Sequence, residues 1–406
     1  MPDTPDDSEK NRLSARVGRY ARVGMNVGGV AARMARGRLT GGETGNAAAL
    51  AGALGRLKGP LVKVAQLMAT VPDLLPADYA TELQKLQSEA PPMGWVFVKR
   101  RMIAELGPDW QARFARFEKE AAAAASLGQV HRAVSLDGEP LACKLQYPDM
   151  QSVVEADLTQ LSVLFAIHRR MDGVIDTSEI AEEIGERVRE ELDYHREAGH
   201  ARLYAAILRD EPRVRVPKVH DDLSTRRLLT LGWLEGRKLL TCKDADLDTR
   251  NRLAEAMFMA WWLPFSRYGV IHGDPHLGNY TVFEEDGAPA GINLLDYGCV
   301  RIFKPGFVGA VIDLYEGLRD RDDERVVHAY KTWGFRNLSK PMIETLNIWA
   351  RFIYGPILDD RVRTVADGVA PGEYGRREAM AVRRELKRLG GVTPPREFVF
   401  MDRAAI

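Results

Sequence analysis

The residues with the most chemistry to offer lie in His272-Gly273-Asp274-Pro275-His276-Leu277-Gly278-Asn279, with a second acid in Leu294-Leu295-Asp296-Tyr297-Gly298. An Asp followed by an Asn within the same loop, then an Asp-aromatic-Gly after an apolar run, is the layout of a phosphoryl-transfer site. A transferring phosphoryl group asks for metal ions held by hard oxygen ligands and for a carboxylate near the attacking hydroxyl. Asn279 and Asp296 can supply the metal oxygens, and Asp274 can face the nucleophile. The plain alternative is a tight turn in which Asp274 and Asn279 cap backbone amides. Asp296, at a fitting distance and flank, favours the chemical reading.

The elements around these residues add a cation and further acids. The spacing predicts a helix from Trp95 to about Leu106 and then an alanine run, Ala121–Ala125, leading into Ser126-Leu127-Gly128-Gln129-Val130-His131. A hairpin over Val130–Val134 and Leu141–Leu145 turns at Asp137-Gly138. Its second arm carries Lys144 among apolar neighbours, where an inward charge needs an anionic partner. The nucleotide phosphates and a helix Glu are the two candidates; a solvent-facing Lys on the strand is the bland reading. A long charged helix over Glu179–Leu208 offers Glu190, Glu191, Asp193 and Glu197. On a continuous helix Glu191 and Glu197 project roughly 120° apart, so they serve different partners. Most acids on such a helix are solvated. Leu228–Trp233 reads as a strand, Glu235-Gly236 as a hinge, and Leu253–Leu263 as an apolar helix packing under the octapeptide. Beyond Pro305 the pattern is helical, with helices around Val308–Leu318 and Ile343–Phe352.

The alanine run stands where an ordinary kinase places a glycine-rich turn over the phosphates. Glycine closes such a turn cheaply, whereas five alanines favour helix. Contacts to ATP from Ala124, Ala125, Ser126, Gly128 and Gln129 are expected to differ accordingly.

Composition excludes several classes. Lys+Arg 57 balances Asp+Glu 57, which argues against a general nucleic-acid binder. Cys143, Cys242 and Cys299 show neither metal spacing nor a disulfide framework and fit a reducing compartment. No apolar run approaches the roughly 18 residues of a spanning helix, and the acidic opening is unlike a signal peptide. The expectation is a cytoplasmic chain. Residues 1–50 form a basic arm bearing Arg12, Arg16, Arg19, Arg22, Arg33, Arg36 and Arg38. A flexible solvated arm and a helix lying peripherally on anionic lipid are both compatible with it. Residues 51–92 read as a helical extension, with Pro60 in a first turn, a stripe of Leu61, Val64, Leu67 and Met68, and a second helix over Ala77–Gln87.

Taken in order, these features resemble the UbiB family of atypical kinase-like proteins, also called ADCK or AarF. Lys63-Val64-Ala65-Gln66 resembles the family's KxGQ signature, followed by Pro72-Asp73-Leu74-Leu75-Pro76. Ala122–His131 resembles its alanine-rich loop and Glu191-Leu192-Asp193 its ExD motif; His272–Asn279 and Asp296-Tyr297-Gly298 complete the set. The resemblance implies an α+β, two-lobed protein-kinase-like fold with a helical N-terminal extension over the active site. The N-lobe would span 93–234 and the C-lobe 235–406. It further implies ATP and Mg²⁺ as cofactors. Lys144 would contact the phosphates and pair with Glu197, Asp274 would be the base-like acid at the nucleophile, and Asn279 and Asp296 would hold the metal. Lys63 and Gln66 would form a lid, with Lys63 meeting Glu191 or Asp193. Partners would be isoprenoid lipids or quinone precursors and quinone-biosynthesis enzymes, in support of ubiquinone (coenzyme Q) biosynthesis or lipid homeostasis. This sequence departs at Ala65, where the signature has Gly, and at Tyr297, where Phe is usual. It also stops at Arg403-Ala404-Ala405-Ile406, where relatives usually continue into another helical stretch, and the integral membrane location of relatives with a spanning tail is not expected to carry over.

Three functions compete: an ATP-dependent phosphotransferase or ATPase, a nucleotide-gated non-catalytic scaffold, and a small-molecule phosphotransferase of the aminoglycoside or choline kinase type. The last shares the His-Gly-Asp-x-x-x-x-Asn loop, but the lid segment and the alanine run count against it.

Overall fold

The computed structural model describes residues 93–124, 127–155, 158–159, 178–274, 276–336, 338–362 and 376–389. The basic arm, the extension with Lys63 and Gln66, Ala125, Ser126, Pro275 and the chain end at Ile406 lie outside the described residues. The chain divides into two compact units and passes between them more than once. Residues 184–196 and 219–233 join the N-terminal part in the first unit; residues 197–218 and everything from Leu234 belong to the second.

The first unit is an antiparallel sheet with strand order β1-β2-β3-β5, built from β1 (Phe114–Ala124), β2 (Gly128–Ser135), β3 (Pro140–Gln146) and β5 (Leu228–Gly232). Helix α1 (Trp95–Leu106) covers one face. Alternation explains the packing: Leu141, Cys143 and Leu145 of β3 point into a core with Val98, Met102, Trp110 and Phe114, and Lys144 takes the other face. Gly138, at φ 84, makes the β2–β3 turn in the left-handed region that glycine enters freely.

The alanine run does not form a helix. Ala121, Ala123 and Ala124 lie in β1, paired with His131, Val130 and Gln129 of β2. The ladder hydrogen bonds offered by β2 outweigh a helix preference of about a few tenths of a kcal/mol per residue. The fit is imperfect, with register shifts at three places along β1.

The long acidic helix is also two helices, α2 (Ser178–Glu190) and α3 (Tyr194–Ile207), interrupted at Glu191-Leu192-Asp193. The sheet takes bonds that a continuous helix would need. Gln146 Nε2 donates to the Leu192 carbonyl at 3.2 Å, and the Tyr194 amide donates to the Arg226 carbonyl at 3.0 Å. Asp193 Oδ1 then accepts from the His195 amide at 3.1 Å and caps the new helix. The 120° separation of Glu191 and Glu197 therefore does not apply. Glu191 belongs to the first unit and Glu197 to the second.

The second unit holds a four-stranded sheet, order β4-β9-β8-β6, from β4 (Val214–Arg215), β6 (Arg237–Lys238), β8 (Tyr280–Glu285) and β9 (Ala288–Leu294). A short pair joins β7 (Val270–His272) to β10 (Val300–Ile302). Helix α4 (Leu247–Tyr268) outruns the expected Leu253–Leu263 because Asp246 caps it, accepting from the Thr249 amide at 2.8 Å. It ends at Gly269, at φ 66, where a Cβ would also sit 2.8 Å from the Phe303 carbonyl oxygen. That turn delivers the chain into β7. Helices α5 (Pro305–Asp320), α6 (Asp323–Trp333), α7 (Lys340–Leu358) and α8 (Arg376–Leu389) follow. Phe265, Ile271, Phe303, Phe307, Leu314 and Trp333 form the core beneath β7. The segment read as a hinge is fastened within this unit. Asn293 Nδ2 donates to the Glu235 carbonyl at 2.9 Å, and a Cβ on Gly236 would lie 2.6 Å from Thr281 Oγ1.

Candidate active site

Asp274, Asn279, Asp296 and Glu197 all belong to the second unit. Two ladders bracket the loop that carries the first pair: His272 pairs with Val300 where the chain enters, and Tyr280 pairs with Leu294 where it leaves. Both loops are therefore held at their strand ends, and the Gly273 amide donates to the Cys299 carbonyl at 2.7 Å to join them again.

His272 ties the two acids together. Its Nε2 lies 2.6 Å from the Asp296 carbonyl, so that nitrogen carries the proton, and its Nδ1 accepts from the Asp274 amide at 3.3 Å. Asn279 Nδ2 donates to the Asp274 carbonyl at 3.0 Å, fixing the loop across its mouth. Asp296 Oδ1 accepts from the Gly298 amide at 2.9 Å. Asp274 is buried, and its negative charge, second to burial itself, helps push the Tyr280 hydroxyl up to about 12. Glu197 is buried too and adds to the forces that hold the Tyr297 hydroxyl neutral, burial being the first and the Tyr204 and Asp296 neighbours following.

Beneath Asp296 lie Tyr297 and two side chains that the motif reading missed, His200 and Tyr204. Tyr297 is fully buried and donates its hydroxyl to the Leu294 carbonyl at 2.7 Å; His200 Nδ1 lies 3.1 Å from the Tyr297 carbonyl. The Tyr204 ring sits 5.6 Å from Tyr297 and 6.1 Å from His272. The signal for His200 and Tyr204 was present: with Glu197 and Ala201 they recur at helical spacing along one face of α3. Periodicity within a highly charged segment drew attention to its acids instead.

In the first unit, Lys144 Nζ stands 5.3 Å from the Tyr194 ring centroid, a cation–π distance. Gly128 is required there, since a Cβ would lie 2.2 Å from the Leu145 carbonyl oxygen and 3.0 Å from Tyr194 Oη. Ala124 is exposed at the end of β1. Gln129 turns its side chain inward. Its side chain is fully buried, with Nε2 donating to the Met93 carbonyl at 3.3 Å and to His131 Nε2 at 2.7 Å. That amide serves the interior of the unit, and only its backbone remains for a ligand. Glu191 and Asp193 occupy the turn between α2 and α3.

Among the described residues no three His, Cys, Asp or Glu side chains gather as a metal cage. An Asn and an Asp in adjoining loops, each a hard oxygen donor, fit instead a magnesium ion that takes its other ligands from phosphate and water. Among the described residues, too, no helix is long and apolar enough to cross a membrane.

Comparison with known proteins places these loops in context. The ABC1 atypical kinase-like domain matches residues 85–330. Activity of BC1 complex kinase 7, a chloroplastic protein of Arabidopsis thaliana, is 32% identical over 66% of the chain and 38% of its own length. The mitochondrial atypical kinase COQ8 of Saccharomyces cerevisiae is 28% identical over 66% of the chain and 53% of its own length. The chain thus spans about half, or less, of the length of these two relatives. Among solved structures, Rv3197 of Mycobacterium tuberculosis, determined as an erythromycin complex, is 26% identical with a TM-score of 0.50, covering 85% of this chain and 92% of that one. With α+β kinase-like architecture, paired loops bearing Asp274, Asn279 and Asp296, and a family match over more than half its length, the chain belongs to the ABC1 atypical kinase-like family, whose members include the ADCK, AarF and COQ8 proteins.

Proposed function

We propose that this protein is an ATP-dependent phosphotransferase or ATPase that uses Mg-ATP and supports ubiquinone (coenzyme Q) biosynthesis or isoprenoid-lipid homeostasis. The observation that carries the chemical part is His272, whose two ring nitrogens bind the backbone at Asp274 and at Asp296. Turns that merely cap amides have no need of a shared buried imidazole. The metabolic part rests on the family match and on the order of motifs.

In this reading Asp274 accepts the proton of the attacking hydroxyl or water. Asn279 commits its amide nitrogen to the Asp274 carbonyl and offers its oxygen to the metal, beside Asp296. Lys144 supplies the positive charge for the nucleotide phosphates, with Ala124, Ala125, Ser126, Gly128 and Gln129 contributing backbone near them. Glu197, buried, partners that lysine, while Lys63 and Gln66 form a lid that engages Glu191 or Asp193. Magnesium, when bound with the nucleotide, neutralises charge on the oxygens of the transferring group. Isoprenoid lipids or quinone precursors, quinone-biosynthesis enzymes and a peripheral anionic membrane surface are the partners this function implies, at a cytoplasmic location.

The test is Asp296→Asn, with Asp274→Asn beside it. Each is expected to abolish magnesium-dependent ATP turnover by the intact chain while leaving its circular dichroism spectrum unchanged. Turnover at the wild-type rate in Asp296→Asn refutes the assignment. A chain that gains thermal stability with nucleotide but never hydrolyses it is instead the non-catalytic scaffold.

A further inference from the structure

We propose that Tyr297 and His200 are positioning residues that hold Asp296 in its metal-binding orientation. The inference rests on the assignment of Asp296 to the metal and goes one layer beneath it. Three carbonyls surrounding Asp296 each face a buried side-chain donor. Leu294 O accepts from the Tyr297 hydroxyl at 2.7 Å, Asp296 O from His272 Nε2 at 2.6 Å, and Tyr297 O from His200 Nδ1 at 3.1 Å. A carbonyl only accepts, so His200 carries its proton on Nδ1 and His272 on Nε2.

These donors come from separate places. Tyr297 reaches back along its own loop, His272 ends β7, and His200 lies on α3. A peptide held at 294, 296 and 297 cannot rotate about Asp296 without giving up buried hydrogen bonds. A phenylalanine at 297 would fill the same ring volume, next to Tyr204 and His272, but would leave the Leu294 carbonyl without its hydroxyl donor. The tyrosine hydroxyl is therefore a device of this chain for stiffening the metal loop, and His200 extends the brace to α3. Partners behind a metal ligand commonly set affinity by about tenfold or more.

The experiment measures ADP binding to the full chain by calorimetry across a magnesium chloride titration, which needs no turnover. Tyr297→Phe and His200→Phe are expected to raise the magnesium concentration for half-maximal binding by about tenfold, with metal-free ADP affinity unchanged. His200→Asn, which keeps an N–H donor, is expected to recover most of the loss. A wild-type magnesium requirement in Tyr297→Phe overturns the proposal, even if melting temperature falls, because a purely structural role would lower stability alone. Asp296→Asn separates the two levels. If it raises the requirement and Tyr297→Phe does not, the positioning claim falls by itself. If Asp296→Asn also leaves it unchanged, the metal assignment falls and takes the positioning claim with it.

Discussion

Gly128→Ala is a severe test of the first unit because the added methyl group has nowhere to go. Gly128 pairs with Gln146 across β2 and β3, and its Cβ would lie 2.2 Å from the Leu145 carbonyl oxygen and 3.0 Å from the carbonyl carbon. Those atoms are backbone, held in the centre of a four-stranded sheet. Relief requires β2 to lift from β3. Overpacking costs about 1–3 kcal/mol and a lost ladder hydrogen bond about 1 kcal/mol, so roughly 2–4 kcal/mol is expected. Because the chain has two units, amide hydrogen exchange over 128–146 is a better readout than a global melt. At roughly 1.4 kcal/mol per factor of ten, those amides should exchange about thirtyfold faster or more. Gly199→Ala supplies the opposite control: it lies in α3 with nothing within 4 Å of its added Cβ, and should stabilise by about 0.5–1 kcal/mol. Exchange in Gly128→Ala within twofold of wild type would refute the steric argument.

Three other outcomes follow from buried polar groups. His131 is fully buried, and burial, outweighing the Glu118 carbonyl bond and the Glu120 charge, lowers its pKa below the ordinary 6.5. The folded state thus resists a proton that the unfolded chain takes, so its stabilisation is complete above that value and is lost as pH falls through 6.5 toward the folded pKa. Urea midpoints between pH 8 and pH 5 should fall more steeply for wild type than for His131→Gln; equal slopes would contradict this. Among the described residues the buried Tyr204 hydroxyl meets no hydrogen-bond partner, so Tyr204→Phe should keep or raise thermal stability, by up to about 1 kcal/mol, and a clear loss would mean the hydroxyl is engaged. Arg301, partly buried, forms an ion pair with the buried Glu183; Arg301→Met should cost roughly 3 kcal/mol, and adding Glu183→Leu should return much of it in a chemical-denaturation cycle.

How far the sequence foretold this architecture depends on what determined each element. The hairpin over β2 and β3 was legible because alternation and an Asp-Gly turn are local signals, and α1 because its period is clean. The alanine strand and the break at 191–193 were not. In both, partners distant in sequence decide the outcome: β2 for the alanines, Gln146 and Arg226 for the helix break. The loops of Asp274 and Asp296 stood out by residue type, but nothing in their spacing pointed to His200 or to the way His272 joins them. The inward turn of the Gln129 side chain was equally hidden, since its partners Met93 and His131 are set by the fold and not by any local pattern.

The shared imidazole of His272 sets a lower bound on what could be transplanted. An engineer grafting these acids into another scaffold could not carry 272–279 alone, because the orientation of each loop is borrowed from the other. The strands from Val270 through Ile302 would have to travel with them, together with the turn of α3 that bears His200 and Tyr204. Inherited change faces the same bookkeeping: drift in either loop is constrained by a residue that belongs to both.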